Sequence, residues 1–322
     1  MEASEFMLQL MKSLMEERKV AESTATAYIK VLYQLNDKKA FKNLTFLKNI
    51  EGMTTKIDEY AESTKKSIYA TIVSVLSLYK DKATFKKVFQ HYSDKMMELA
   101  KEAGQKDTSV KTEKQEANWL SWEDVEKKKI ELESEVAKAG KKLNNAQYDK
   151  LLQWVILSLY TDIQPRRNQD YLDMYIVKKY NDKMPTDKNY LDLATKQFIF
   201  NKYKTHRKYG QQKEAIPDSL WGAVSKYLSF HPLYKGVVKR KNDPVKFLVS
   251  SDGKEMTAVN AITRVLNRVF GKKIGSSMLR HIYLSDKYKD LTTEMKNDAE
   301  AMGHSVAQQK AYIKKDDDDD DD

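Results

Sequence analysis

Cysteine is missing altogether, which excludes disulfides, thiolate metal sites and a cysteine nucleophile. The five histidines (His91, His206, His231, His281 and His304) are scattered without ligand spacing, so no histidine metal cluster is expected. Glycine is sparse, at 10 of 322 residues, and none of it forms a phosphate-cradling loop, which argues against P-loop nucleotide hydrolysis. No apolar run approaches the ~20 residues that a membrane span needs. The first residues, MEASEFMLQLMKSLMEERKV, place acids before any basic stretch and lack a small-residue cleavage site, so no signal peptide is expected. Together these absences predict an intracellular chain with no membrane association, no bound metal and no other cofactor.

What is present is charge, chiefly positive. Lys and Arg number 57 against 47 Asp and Glu, a net charge of +10, with a mean hydropathy of −0.71. That +10 becomes +17 once the seven aspartates at Asp316–Asp322 are set aside. A body that basic predicts a polyanionic partner, with nucleic acid as the default. The aspartate run reads as a disordered tail. It is either a solubilising segment or an acidic mimic of DNA that competes for the basic surface.

Helical spacing dominates residues 1–103. Phe6, Leu10 and Leu14 with Met7, Met11 and Met15 mark a first amphipathic helix. Ser23 or Thr24 caps a second, Ser63 a later one, and Phe89, Met96 and Leu99 face inward on a long fifth. Between them lie lysines, among them Lys65, Lys66, Lys86 and Lys87, that read either as a solvated face or as a phosphate-gripping surface. Residues 104–117, GQKDTSVKTEKQEA, have linker composition. Residues 118–315 form a second domain, and 316–322 are the acidic tail.

In that second domain Ser121 is placed to cap a helix at Trp122, and Asn144 or Asn145 one whose run Leu151–Leu159 is apolar all round. Pro165 then marks a turn or a helix start, and Arg166 and Arg167 follow it against the hydrophobic body, where a guanidinium requires an anion or a carboxylate. Strand patterns occupy 172–177, 190–193, 197–203 and 213–216. The last two form a hairpin whose tip carries Lys204, His206, Arg207 and Lys208. Phe247–Ser250 is short and apolar, Thr257 caps a following helix, Ser276 or Ser277 caps the helix of Arg280, and Thr292 or Thr293 the one after it. The fold class expected is mainly α with a small antiparallel sheet (α+β).

Five of these residues, in order and each on a fitting element, resemble the signature of the tyrosine recombinases, the family that includes phage integrases. Arg167 with Asp170 three residues on resembles the first arginine box, with Arg166 as the register alternative. Lys204 in YKTHRKYG resembles the hairpin lysine, and SMLRH the second box, giving Arg280 and His281. MGHS gives His304, and AYIK gives Tyr312. Two departures stand out: Ser277 occupies the place of the second box's first histidine, and the His304–Tyr312 spacing is one residue shorter than in most members. They suggest a divergent branch, viral or borne by a mobile element, with a host nucleus or viral factory as one setting.

The resemblance covers essentially the whole chain. It implies a helical core-binding, DNA-clamping domain ahead of a catalytic domain, and site-specific cleavage and rejoining of double-stranded DNA without a metal. In that scheme Arg167 and Arg280 bind the scissile phosphate, His304 donates to a nonbridging oxygen, Tyr312 forms a 3′-phosphotyrosyl link, and Lys204 protonates the leaving 5′-oxygen. Asp170 orients a cation, Ser277 donates to the phosphate, and His281 supports the site. Lys65, Lys66, Lys86, Lys87, His206, Arg207 and Lys208 contact DNA, and the chain assembles as a homotetramer on it. The competing readings are a type IB topoisomerase, a telomere resolvase, and a DNA-binding relative that has lost catalysis.

Overall fold

A computed structural model describes residues 3–105, 110–234, 244–303 and 306. The expectations for His304, Tyr312 and the Asp316–Asp322 run lie outside the described residues. The chain divides into two compact units, Met1–Val110 and Lys111–Asp322.

The first unit is helical: α1 (Glu5–Glu17), α2 (Glu22–Leu35), α3 (Ile50–Asp58), α4 (Glu62–Leu76) and α5 (Ala83–Gln105). Ser4 starts α1 by accepting from the Met7 N–H at 3.2 Å, and Met7, Leu10 and Leu14 then fall on its buried face. Ile68, Ile72 and Val75 of α4 and Val88 and Tyr92 of α5 close the core. Tyr92 keeps its hydroxyl satisfied inside that core by donating to the Leu47 carbonyl at 2.9 Å. Neither Ser23, Thr24 nor Ser63 caps a helix. The caps are Ala21 and Ala61, with acids in the first turn supplying the favourable charge instead.

The second unit begins inside the stretch read as linker. Thr112 and Gln115 form a reciprocal capping box that opens α6 (Glu113–Asn118), a local signal stronger than the polar composition around it. There follow α7 (Trp122–Ala137), capped by Ser121, and α8 (Asn145–Thr161), capped by Asn144 and buried on nearly every side from Tyr148 to Tyr160. After them come α9 (Asn168–Leu172), β1 (Met174–Val177), β2 (Asn189–Asp192), β3 (Gln197–Phe200), α10 (His206–Tyr209), β4 (Gln212–Ala215), α11 (Asp218–Phe230) and β5 (Val245–Lys246). The unit's described helices close with α12 (Ala261–Phe270), α13 (Ser276–Lys287) and α14 (Lys289–Ala301).

The sheet order is β4-β3-β2-β1-β5. β3 pairs antiparallel with β2 and β4, and β5 antiparallel with β1, but β1 and β2 run parallel. The mainly helical α+β class therefore stands with a mixed sheet in place of a wholly antiparallel one. Residues 178–188 cross back over to the start of β2, and such a crossover leaves no mark on strand periodicity. The apolar stretch 247–250 lies past β5, where the Phe247 N–H donates to the Met174 carbonyl of β1 at 3.0 Å and Val249 bridges Glu255. No membrane-spanning helix occurs among the described residues, none being long and apolar enough.

Candidate active site

The site grows from the turn between α8 and α9. α8 ends at Thr161, Pro165 lies buried four residues on where the chain cannot resume the helix, and Arg167 takes the extended conformation of an N-cap (φ −78°, ψ 149°) before α9 starts. Behind the turn, Tyr160, Tyr171 and Phe200 pack edge to face at 5.8 and 6.0 Å, forming a rigid apolar backing. Tyr160 is fully buried, and its hydroxyl donates to Asn168 Oδ1 at 2.9 Å while Asn168 Nδ2 donates to Thr263 Oγ1 at 2.8 Å. That chain joins α8, α9 and α12. Gly275 then lets α13 begin hard against α12, since a Cβ there would meet Thr263 Oγ1 at 3.2 Å. Arg280 sits one turn into α13 and so comes to the α9 turn.

Arg167 and Arg280 are both half-buried, and neither has a carboxylate within ion-pair distance among the described residues. The Nε of Arg280 donates only to its own helix, to the Ser276 carbonyl at 3.4 Å. Its ionisation is held below the usual guanidinium value by burial first and by repulsion from Arg167 second, with Tyr160 and Asp170 pulling the other way. Two guanidiniums thus sense each other at one place, short of compensating negative charge. Burial pushes the Tyr160 phenol up, and the Asp170 charge adds to that push.

Arg166, the register alternative, faces a different environment. Its Nε donates to Asp170 Oδ2 at 3.1 Å, one terminal nitrogen donates to Gln212 Oε1 at 3.0 Å, and the other lies 3.9 Å from Glu214 Oε2. Its guanidinium carbon lies 3.7 Å from the Phe200 ring centroid and 5.3 Å from that of Tyr203. Asp170 is 3% exposed; burial raises its carboxyl, and the charge and hydrogen bond of Arg166 oppose that rise. Glu214 is likewise raised by burial and opposed by Arg166.

Asn189, wholly buried at the start of β2, holds the same region with four bonds. It donates to the Asp170 and Lys202 carbonyls at 2.8 and 2.9 Å and accepts from the N–H groups of Asn201 and Lys202 at 2.9 and 2.8 Å.

Lys204 lies exposed in the 201–211 connection between β3 and β4, with no ion pair to a described residue. The connection is a short helical turn. Tyr203 donates to the Gly210 carbonyl at 2.8 Å, and Gly210 adopts φ 63°, which a side-chained residue resists. His206 Nδ1 donates to the Tyr203 carbonyl at 2.9 Å, while Arg207 and Lys208 are exposed. Ser277 and His281 are exposed on α13, and their side chains make no hydrogen bond to a described residue. The cap of α13 is Gly275, not either serine. Likewise Asn260 and Tyr288, in place of Thr257 and Thr292 or Thr293, precede α12 and α14.

In the first unit Lys65 is bound by Asp58 at 3.3 Å and Glu62 at 3.1 Å, whereas Lys66, Lys86 and Lys87 are exposed and unpaired among the described residues.

The structure therefore brings Arg167, Arg280 and Asp170 together, places Lys204 on a neighbouring loop, and reveals a supporting set in which Arg166, the register alternative, is joined by residues that sequence reasoning passed over: Gln212, Glu214, Asn189, Asn168 and Tyr160. Of these only Arg166 carried a sequence signal, as a second arginine after a proline. No family model matches the chain, and no curated protein matches it. A solved structure, that of the XerA recombinase, aligns over 97% of this chain and 94% of its own length, with 13% identity and a TM-score of 0.33. A likeness so faint says nothing of residues or chemistry.

Proposed function

We propose that the chain cleaves and rejoins DNA strands through a covalent 3′-phosphotyrosyl intermediate, as the resemblance to tyrosine recombinases implies. The observation that carries this reading is the Arg167–Arg280 pair: two guanidiniums from separate elements, close enough to repel and without a carboxylate partner among the described residues. Such a pair is completed by an anion, and a phosphodiester offers two nonbridging oxygens to guanidinium forks. Charge builds on those oxygens as an entering group approaches, so fixed cations favour the transition state over the ground state.

Tyr312 attacks the phosphorus, His304 donates to a nonbridging oxygen, and Lys204 supplies the proton that the departing 5′-oxygen needs. Asp170 acts through Arg166, not on the phosphate. Lys66, Lys86, Lys87, Arg207 and Lys208 add sequence-independent phosphate contacts. Exchange between two duplexes takes four cleavages, hence four protomers on DNA.

Incubating the full chain with a DNA site nicked beside the scissile phosphate traps the intermediate, because the short 5′ product diffuses away. A covalent protein–DNA adduct is expected, and Tyr312→Phe abolishes it. No adduct from the native chain would mark a DNA-binding protein without catalysis. Joints formed between two sites separate a recombinase from a topoisomerase.

A further inference from the structure

Among the described residues, one side chain of the turn bearing Arg167 reaches both strands at the base of the loop bearing Lys204. Arg166 stacks on Phe200 at the end of β3 (3.7 Å) and bonds Gln212 at the start of β4 (3.0 Å), with Glu214 further along β4 at 3.9 Å. It also bonds Asp170 of α9 at 3.1 Å and immediately precedes Arg167 in the chain. A planar guanidinium with donors along its edges and an aromatic ring on its face has little freedom left. The fork therefore transmits the position of the α9 turn to both ends of the 201–211 loop. Asn189 braces only the first end, through Asn201 and Lys202.

We infer that Arg166 is a positioning residue for the general acid: it sets where Lys204 stands relative to the phosphate held by Arg167 and Arg280. The inference rests on the function proposed above. In the cleavage step the Tyr312 oxygen–phosphorus bond forms and the phosphorus–O5′ bond breaks. The phenol proton is released to solvent, and the Lys204 ammonium gives a proton to O5′ and remains as a neutral amine. Misplacing Lys204 by about an ångström removes much of the benefit of general acid catalysis, which is on the order of 10²- to 10⁴-fold. It leaves phosphate binding by the arginines in place.

A DNA substrate with sulfur in place of O5′ separates these roles, because a thiolate leaves without needing a proton. On ordinary DNA Arg166→Lys, which keeps the charge but loses the fork, is expected to slow adduct formation at least ~10-fold. On sulfur-bridged DNA the same variant runs within ~3-fold of the native chain, as Lys204→Ala does. Arg167→Ala stays slow on both. Gln212→Ala, which removes only the β4 anchor, shows the same pattern with a smaller defect and decides the matter if Arg166→Lys does not fold. Equal slowing of Arg166→Lys and Gln212→Ala on both substrates overturns the positioning role while leaving the proposed reaction intact. Failure of sulfur to rescue Lys204→Ala overturns the general-acid assignment itself, and the inference with it.

Discussion

Arg166 and Arg167 are neighbours in the chain and opposites in the structure. Around Arg166 the fold gathers an acid at 3.1 Å, a second at 3.9 Å, an amide oxygen and an aromatic face, so its charge is spent inside the protein. Around Arg167 and Arg280 the fold gathers two cations that repel one another, with Asp170 attracting both but ion-paired to neither. A neutralised, stacked arginine acts as a strut, and removing it strands its acids in an apolar medium. An uncompensated pair contributes little to stability, and its residual charge is available to a ligand. The difference separates two residues that a motif alone leaves as alternatives.

The comparison breaks most visibly on the uncompensated side. Arg167→Ala and Arg280→Ala are each expected to reduce the rate of phosphotyrosyl adduct formation by about 10³-fold, the scale on which a transition-state donor acts. Neither should lower the thermal midpoint, because each removes a repulsion along with a side chain. A rate loss matched by a large fall in midpoint would show that these arginines are struts too.

On the compensated side the expected effect is on folding. Arg166→Met removes the ion pair that Asp170 makes among the described residues and leaves it the charge of Arg167 without a side-chain bond, a loss on the order of 3 kcal/mol, and Arg166→Met with Asp170→Asn should recover part of it. Chemical denaturation of the full chain measures both. The pH dependence carries a defined sign. Burial raises the Asp170 carboxyl above its ordinary value of 3.8 even with Arg166 present, so between 3.8 and the raised value the folded state holds the extra proton. Stability contributed there falls as pH rises through that window and is level above it. Without Arg166 the window extends to higher pH. A profile shifted to lower pH in Arg166→Met would contradict the pairing.

His231 gives a reference point away from the site. Burial lowers its imidazole to about 4 from 6.5, and its ring sits neutral, Nε2–H toward the Lys246 carbonyl at 3.0 Å and Nδ1 accepting from Leu233 N–H at 3.2 Å. Here the unfolded chain binds the extra proton between about 6.5 and 4, so stability falls as pH drops through that interval, by roughly 3 kcal/mol in all. His231→Gln should flatten that fall without altering the Asp170 window.

The contrast between the two arginines is not legible in the sequence, but much of the fold that carries them is. The burial of α8 followed from its unbroken apolar run, the β3–β4 hairpin from two alternating segments about a basic turn, and Arg280 from its place one turn into a capped-looking helix. What stayed hidden was pairing across distance. Asn189 reads as an ordinary residue opening a strand, yet it binds carbonyls contributed by Asp170 and Lys202. Gln212 lies just outside the strand expected over 213–216 and Glu214 is one of its polar positions, and only the sheet register brings them to Arg166. The direction of β1 against β2 was equally invisible, since alternation is the same for parallel and antiparallel strands. Helix caps were misread wherever a hydroxyl was assumed to cap and an alanine, glycine, asparagine or tyrosine stood there instead.

The smallest expected effect carries the same contrast into the first unit, where Lys65 and Lys66 repeat the pattern of a paired and an unpaired neighbour. Lys65 is held by Glu62 at 3.1 Å and Asp58 at 3.3 Å, and the Glu62 hydrogen bond keeps its ammonium above the ordinary lysine value. Its charge is already answered, so in the DNA contact proposed above it has no counterion of its own to release. Lys66 is exposed and has no acid within reach among the described residues. Each phosphate neutralised adds about −0.9 to the slope of log K against log salt. Lys66→Gln is therefore expected to make that slope shallower by about one for duplex DNA, uniformly across sequences. Lys65→Gln should leave the slope where it was. A shallower slope from Lys65→Gln would mean that its acids release it on DNA, and that pairing in the free protein does not decide which cations meet the phosphates.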